Sequence, residues 1–477
     1  MSFKTLLLPP VIDQKIDPTP LTALPALGFA ALVVGAGYLA ARRNAWALAL
    51  LVAAVPFAAY RDLAATTVTT EKAVLLGVVA GLALSGAMRA GVPAPARRIL
   101  LAGLLVLLAI TLSSVHAAYR MPVLRETLKQ VEYLALFWTA MSLMLLARDA
   151  VGKFQIAVVV SVLVVCASAF VQSIVGGAPS GIWINNHIVP RVAGVLEGPN
   201  QLAGYLEVGL PLLWLSPMLC LPRWTKLRFV AVMLGMAVLV LTQSRTGIGF
   251  AFLGYAALWL IDRPAARVAL WPVLAGAVAG SIIVAAWYVV SAHAGSLGMK
   301  SMFEDAVRQN PGSVGTRGQL WPAAVALFRR SALTGVGAGN YELLLSTVGL
   351  HGIRTHANSL WLQTLAEQGL VGFAALVVFA VVALRETFRA CGRSWLARAA
   401  FIATLSLFLH QIVDDLFFFP KVAELWWLLM GATAVHVWQT QSVTEASGKK
   451  WAGQHLEHSY SGVAKLVTTH TGSGPAA

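Results

Sequence analysis

From Phe154 to Val175 the chain reads Phe-Gln-Ile-Ala-Val-Val-Val-Ser-Val-Leu-Val-Val-Cys-Ala-Ser-Ala-Phe-Val-Gln-Ser-Ile-Val, without one charged side chain. A run of about 20 apolar residues, wound as a helix, crosses a bilayer core of about 30 Å. Working outward in both directions, similar runs recur from Leu21 to Trp438, thirteen in all: 23–41, 45–60, 73–88, 99–115, 128–147, 154–175, 201–220, 229–243, 247–261, 269–291, 358–384, 399–418 and 424–440. In lipid every backbone polar group must find a partner inside the chain, which leaves only helices or a closed barrel. The alternating ten-residue pattern of a membrane barrel is absent. The sequence therefore predicts an all-α polytopic membrane protein with about 12–13 transmembrane helices.

The composition agrees. Of 477 residues, 58% are hydrophobic and 12% are charged, against roughly one-quarter charged in an average soluble domain. The first twenty residues carry Lys4, Asp13, Lys15 and Asp17 among prolines, so no cleaved signal peptide is expected. Cys166, Cys220 and Cys391 are far apart. They form neither a disulfide framework nor a metal-ligand spacing and are expected to be free thiols.

A net charge of +15 would suggest nucleic acid on a soluble chain; here its distribution gives orientation instead. Arg42, Arg43, Arg89, Arg97, Arg98, Arg148, Lys153, Arg223, Lys226, Arg228, Arg263, Arg267, Arg385, Arg389, Arg393 and Arg398 fall in one alternate set of loops, opposed only by Asp149, Asp262 and Glu386. That set is expected on the cytoplasmic side. The expected organisation is an N-terminal segment 1–22; helices one to ten over 23–291, with a periplasmic loop 176–200; a long periplasmic loop 292–357 acting as a lid, with an amphipathic helix over Gln319–Phe328; helices eleven to thirteen over 358–440; and a disordered cytoplasmic tail 441–477. Thirteen helices would put the N-terminus outside.

The long loop breaks the charge pattern. Lys300, Arg308, Arg317, Arg329, Arg330 and Arg354 outnumber Glu304, Asp305 and Glu342. Long loops translocate largely regardless of charge, but a cationic outer loop also suits an anionic substrate, and the planar arginine fork suits phosphate in particular. Arg245, in Leu-Thr-Gln-Ser-Arg-Thr-Gly, sits at the outer junction of two apolar runs. It either snorkels to the headgroups or faces a cavity on a substrate path. Arg191 lies shortly before Asn200, which would cap the helix beginning near Gln201. His356 stands where the loop re-enters the membrane, beside Arg354 and Asn358 and ahead of Gln363 and Glu367. A neutral imidazole is a suitable general base, and neighbouring arginines are expected to hold its pKa at or below the ordinary value. Glu367 reads as an arginine partner or an orienting group, because a carboxylate within a span is costly unless paired. Gly335-Val-Gly-Ala-Gly339 follows no strand and reads as a tight turn rather than a nucleotide loop. Asp414 and Asp415 are a lesser candidate proton site. The histidines are too scattered for a metal site.

Five stretches together resemble the O-antigen ligase and Wzy polymerase superfamily: Arg191-Val-Ala-Gly-Val-Leu-Glu-Gly-Pro-Asn200; Leu241-Thr-Gln-Ser-Arg245-Thr-Gly; Arg317-Gly-Gln-Leu-Trp321; Gly335-Val-Gly-Ala-Gly-Asn-Tyr341; and His356-Ala-Asn-Ser-Leu-Trp-Leu-Gln-Thr-Leu-Ala-Glu367-Gln-Gly-Leu-Val-Gly372. The resemblance covers roughly residues 185–375. It implies a GT-C-like membrane glycosyltransferase of the bacterial inner membrane with its active site facing the periplasm. The first apolar run would then be an addition to a twelve-helix core. The implied donor is an undecaprenyl-diphosphate-linked glycan, and the implied acceptor is lipid A-core for a ligase. No cofactor, metal or nucleic acid is implied. In that reading Arg191, Arg245 and Arg317 clamp the diphosphate, His356 is the catalytic base, and Asn200, Arg354, Asn358 and Glu367 support them. The rivals are a polymerase of lipid-linked repeats or a protein oligosaccharyltransferase and, in a different class, an anionic-lipid transporter. A transporter would carry midplane charges in symmetric broken helices. The charge here lies at one face.

Overall fold

The computed structural model describes residues 23–57, 60–63, 66–86, 91–147, 149–176, 178, 180–184, 187–293 and 313–441. The expected N-terminal segment 1–22, the part of the long loop over 294–312, the tail from 442, and Arg89 and Arg148 lie outside these residues. Each of the thirteen apolar runs contains a helix. They are α1 Ala23–Arg42, α2 Asn44–Ala54, α3 Thr70–Leu84, α4 Ala94–Leu112, α5 Arg120–Leu146, α6 Ala150–Val175, α7 Pro199–Leu215, α8 Thr225–Leu241, α9 Arg245–Ile261 and α10 Arg263–His293. After α11 Ser313–Arg330 come α12 Leu360–Ala390, α13 Trp395–His410 and α14 over 420–441. Five helical stretches are long and apolar enough to cross a membrane: Ala94–His116, Ala150–Val175, Pro222–Leu241, Arg263–Val290 and Leu360–Ala390.

Several readings need correction, and the run expected over 399–418 is helical only to His410. The second run, expected over 45–60, is helical only to Ala54, and Tyr60 belongs to a strand. Pro56 follows the helix and has no backbone N–H with which to continue it. The fold also contains two small antiparallel hairpins where no strand was expected. β1 Tyr60–Leu63 pairs with β2 Thr66–Thr69. β3 Ser180–Ile184 pairs with β4 His187–Arg191, with Ser180 opposite Arg191.

The bundle is built inside-out relative to a soluble protein. Large apolar side chains such as Leu84, Leu260, Trp271 and Ile282 face outward, while Trp214, Trp426 and Trp427 are fully buried. α7 is buried on every face, as a helix apolar all round must be. Lipid tails are as apolar as leucine, so helix pairs associate through close packing rather than water exclusion, and glycine permits the closest approach. Gly77 and Gly81 of α3 lie against the Val33 and Gly37 carbonyls of α1, and Gly276 and Gly280 of α10 against those of Met233 and Ala237 in α8. These two Gly-x-x-x-Gly pairs escaped the sequence reading.

The loops expected to be cytoplasmic gather at one end. Both Arg98 Nη1 contacts to Glu386, 2.9 and 2.8 Å long, join the start of α4 to the end of α12, and Arg398 pairs with Asp262. The other end of α4 meets the lid, where His116 Nδ1 and Thr334 Oγ1 are 2.8 Å apart. Within the lid, Leu320, Ala323, Ala324 and Leu327 form the buried stripe of α11, the helical spacing expected of an amphipathic segment.

The lid is sewn to α12. That helix breaks at Gly369, where φ is +64°, a left-handed conformation open chiefly to glycine. A break frees backbone groups that must be paired elsewhere. Here Val336 N donates to Ala366 O (3.0 Å) and Gly337 N to Glu367 O (2.8 Å), while Leu370 N donates to Ala332 O (2.8 Å) and Val371 N to Leu333 O (3.1 Å). Gly335, Gly337 and Gly339 all have positive φ, so the glycine run is a turn, as its sequence suggested. A Cβ on Gly369 would fall 2.4 Å from the Leu333 carbonyl. Gly369→Ala is therefore expected to destabilise the protein by about 1–3 kcal/mol through overpacking and to loosen the lid. Thermal unfolding and limited proteolysis within the lid measure both effects, and an unchanged variant would show that the seam is not structurally required.

Candidate active site

The hairpin β3–β4 delivers Arg191 to the junction of α8 and α9. Arg191 Nε donates to Thr242 O at 2.8 Å, Val192 N to Leu241 O at 3.3 Å, and Gln243 Nε2 to Pro190 O at 2.5 Å. The following loop is held from α6 by Gln172, whose Oε1 accepts from Ala193 N and Gly194 N at 2.9 Å each. Arg191 Nη2 then donates to Asn200 Oδ1 at 2.7 Å, and Asn200 Nδ2 donates to Asp414 Oδ2 at 2.6 Å. Asn200 does not cap α7, whose N-cap is Gly198. It bridges an arginine and an aspartate.

Asp414 is the centre of this chain. It is 1% exposed and lies in the non-helical stretch between α13 and α14. Its second oxygen, Oδ1, is 3.6 Å from His356 Nε2. The His356 ring stacks on Phe418, with centroids 4.8 Å apart, and meets Phe419 edge-on. Local bonds fix the histidine's backbone: Ala357 N donates to Gln363 Oε1 at 2.9 Å, and Leu360 N to the carbonyls of Gln411 and Asp414 at 3.0 Å each. Ser359 caps α12, its Oγ accepting from Leu362 N at 3.3 Å. Asn358 takes the left-handed φ of +50° just before it, which asparagine tolerates better than most residues.

The electrostatics differ from expectation. Burial opposes charge on His356, but its bond to Asp414 and the negative charges of Asp415, Asp414 and Glu342 outweigh it, so the imidazole is held above its ordinary pKa. The arginines were expected to do the reverse; acids, not arginines, face this ring. Burial would raise the pKa of Asp414, yet contact with His356 and the charge of His410 hold it below the usual carboxylate range. Asp415 is pushed up to about 6, mainly by burial, with His356 and Lys129 opposing the rise.

The three predicted arginines do approach one another. Burial pushes the Arg191 guanidinium down to about 10; Asp414 opposes that fall, and the like charges of Arg245 and Arg317 add to it. Their commitments differ. Arg191 is tied by protein acceptors. Arg245 is exposed, one residue past the α9 cap Ser244. The Nε of Arg317 is buried without a partner. Among the described residues Arg245 and Arg317 have no protein acceptor, whereas Arg191 is structurally occupied.

Glu367 pairs with no arginine among the described residues. Its Oε1 accepts from Tyr341 N at 2.9 Å, which anchors the lid as an orienting group would. Glu367 also lines a cavity of about 360 Å³, with Arg125, Glu126, Lys129, Arg354, Gln363, Asp415, Phe418 and Trp427 among its walls. Arg354 faces this cavity rather than the arginine group. Asp415 and Phe418 line this cavity, and the Phe418 ring stacks on His356. Arg125 and Lys129 went unnoticed in the sequence, because they sit at one end of an apolar helix and read as ordinary interfacial charges. Asp414 was noticed but not connected to His356, since 58 residues separate them.

A polytopic membrane protein is thus defined, with a cationic, histidine-bearing site at one end of its bundle. Residues 229–377 match the O-Antigen ligase family model, Wzy_C. The match takes in Arg245, Arg317, His356 and Glu367 and leaves Arg191, Asn200 and Asp414 outside it. No curated protein matches the chain. Asn200→Ala is expected to cost about 1–3 kcal/mol, because the buried Asp414 loses a donor, whereas exposed Arg245→Ala should change stability by less than about 0.5 kcal/mol. Thermal unfolding of the two purified variants tests the contrast; equal stability would detach Asn200 from the network.

Proposed function

We propose that the protein is an O-antigen ligase. It transfers a polysaccharide from undecaprenyl diphosphate to lipid A-core, at the periplasmic face of the bacterial inner membrane. The observation that carries this reading is that the charges of Arg245 and Arg317 bear on the tethered Arg191, which Asn200 links to Asp414 beside His356, in a chain whose residues 229–377 match the O-Antigen ligase family model. The basic loops gathered at the opposite end support the orientation.

In the reaction, Arg245 and Arg317 take the donor diphosphate by bidentate bonds. Arg191 shapes the site from its fixed position and adds positive field. Arginines fixed where charge develops on a leaving group stabilise the transition state without reorganising. His356 accepts the proton of the acceptor hydroxyl as that oxygen attacks the anomeric carbon. The new C–O bond forms as the bond to the diphosphate oxygen breaks, and undecaprenyl diphosphate leaves with inversion. The electron pair departs with the diphosphate and the proton stays on His356. Asp414 holds one ring nitrogen, fixes the ring and favours the imidazolium that forms. Arg354, Gln363 and the aromatic side chains give the cavity a wall suited to an anionic, sugar-bearing acceptor.

Purified protein with lipid-linked donor and lipid A-core acceptor, followed by gel shift, tests the assignment. Arg245→Ala and Arg317→Ala should lose both donor binding and turnover, and lysine should restore them only in part. His356→Ala should keep donor binding and lose about 10²–10⁴-fold in turnover. Near wild-type turnover would remove His356 from the reaction. Product formed on a second lipid-linked repeat, and not on lipid A-core, would make the enzyme a polymerase.

The pH profile follows from the site. Only neutral imidazole accepts a proton, and the acids raise the pKa of His356. The acid limb of kcat/KM should therefore lie above the ordinary imidazole value of about 6.5 and move to lower pH in Asp414→Asn. A limb unmoved by that substitution would assign it to another group. Orientation is checked with a cysteine at position 313 in a Cys220→Ser background, because Cys220 is exposed and the other two thiols are buried. Labelling by an impermeant reagent in intact spheroplasts is expected; labelling only after lysis would invert the topology.

A further inference from the structure

Away from this site, α3, α5 and α14 each send one glutamate to a common point. One carboxylate oxygen from each of Glu71, Glu132 and Glu424 lies within 4.8 Å of the other two. Glu71 is fully buried and Glu424 is 3% exposed. Both oxygens of Glu71 and Oε1 of Glu132 are buried with no hydrogen-bond donor, and so is the hydroxyl of Tyr133 in the next position of α5. Glu132 Oε2 takes Lys72 Nζ at 3.3 Å. The nearby Lys421 is spent elsewhere, 3.2 Å from Glu197 Oε1 and 2.9 Å from Val195 O. Three carboxylates against one close lysine leave two negative charges in a buried space. Unpaired buried carboxylates are costly, so the cluster is neutralised there, by protons or by a cation.

We infer that Glu71, Glu132 and Glu424 bind one divalent cation of the Ca²⁺ or Mg²⁺ class. The donors are all hard carboxylate oxygens, without nitrogen or sulfur, which selects against zinc and copper. Ca²⁺ is favoured over Mg²⁺ because it accepts an irregular set of carboxylate oxygens, whereas Mg²⁺ demands near-octahedral geometry and gives up its waters reluctantly. One such ion satisfies the orphaned oxygens of Glu71 and Glu132 and cancels the two surplus charges together. Protons on two of the carboxyls are the alternative neutralisation, and dependence on metal separates the two. Access runs along the Lys72–Glu132 edge, whose side chains are 33% and 14% exposed. The ion ties together helices that are distant in sequence. It also braces the candidate active site, because Tyr133 and Trp427, on the same two helices as Glu132 and Glu424, stack 6.4 Å apart and both line the cavity. The role is structural and does not depend on which glycan or acceptor the enzyme uses.

The full chain in nanodiscs of zwitterionic lipid tests this by equilibrium dialysis with radioactive Ca²⁺, alongside thermal unfolding. We expect one ion per chain, a melting temperature raised by Ca²⁺ and lowered by a chelator, and loss of both effects in Glu71→Gln. Magnesium should compete more weakly. Should Glu71→Gln fail to fold, wild-type protein still decides the matter, through terbium emission sensitised by Tyr133 and Trp427 and displaced by Ca²⁺. Three results would overturn the inference: no bound Ca²⁺ or Mg²⁺ at millimolar concentration, undiminished binding in folded Glu71→Gln, or a melting temperature that follows pH while ignoring both metal and chelator. The last would mean that the cluster is held together by protons.

Discussion

A carboxylate buried at the end of a membrane bundle is tolerated only if donors surround it, and Asp414 imposes that requirement on four parts of this chain. It draws in Asn200 from the start of α7 and His356 from the end of the lid. Through Asn200 it fixes Arg191, which fastens the β3–β4 hairpin to the α8–α9 junction. Its own carbonyl receives the first amide of α12. The contacts at Asp414 thus set the spacing between His356 and Arg191. Burying an ionised group is poor value for stability alone, since well-packed apolar residues of similar volume often do as well or better. Such a network earns its place through the arrangement it enforces.

The arginines illustrate how the same residue type is put to two uses a few ångströms apart. Arg191 spends its donors on protein oxygens, and its field is permanent. Among the described residues Arg245 and Arg317 have no protein acceptor, and the positive charge of each bears on Arg191.

Much of this was legible in the sequence. Apolar runs located every helix from α1 to α14 except α11, and Arg191, Arg245, Arg317 and His356 were singled out from their places at the boundaries of those runs. Periodicity and local charge are short-range signals, and they carried these findings. They failed where partners come from distant segments. His356 seemed to answer to Arg354, two residues away, whereas its partner is Asp414. Glu367 seemed to need an arginine and instead receives the Tyr341 amide. Glu71, Glu132 and Glu424 lie in three separate helices and show nothing of their meeting to a linear reading. The hairpins were also missed, because segments as short as four or five residues between long helices leave too little alternation to register.

The seam at Gly369 gives the lid a mechanical character. Four backbone bonds make Ala332–Gly337 the missing ladder of α12, so this part of the lid moves with that helix or not at all. Lifting it would strand two carbonyls and two amides beside a membrane, where no water waits to receive them. This seam can therefore move only together with α12, and a tilt of that helix would be transmitted to the lid without a hinge.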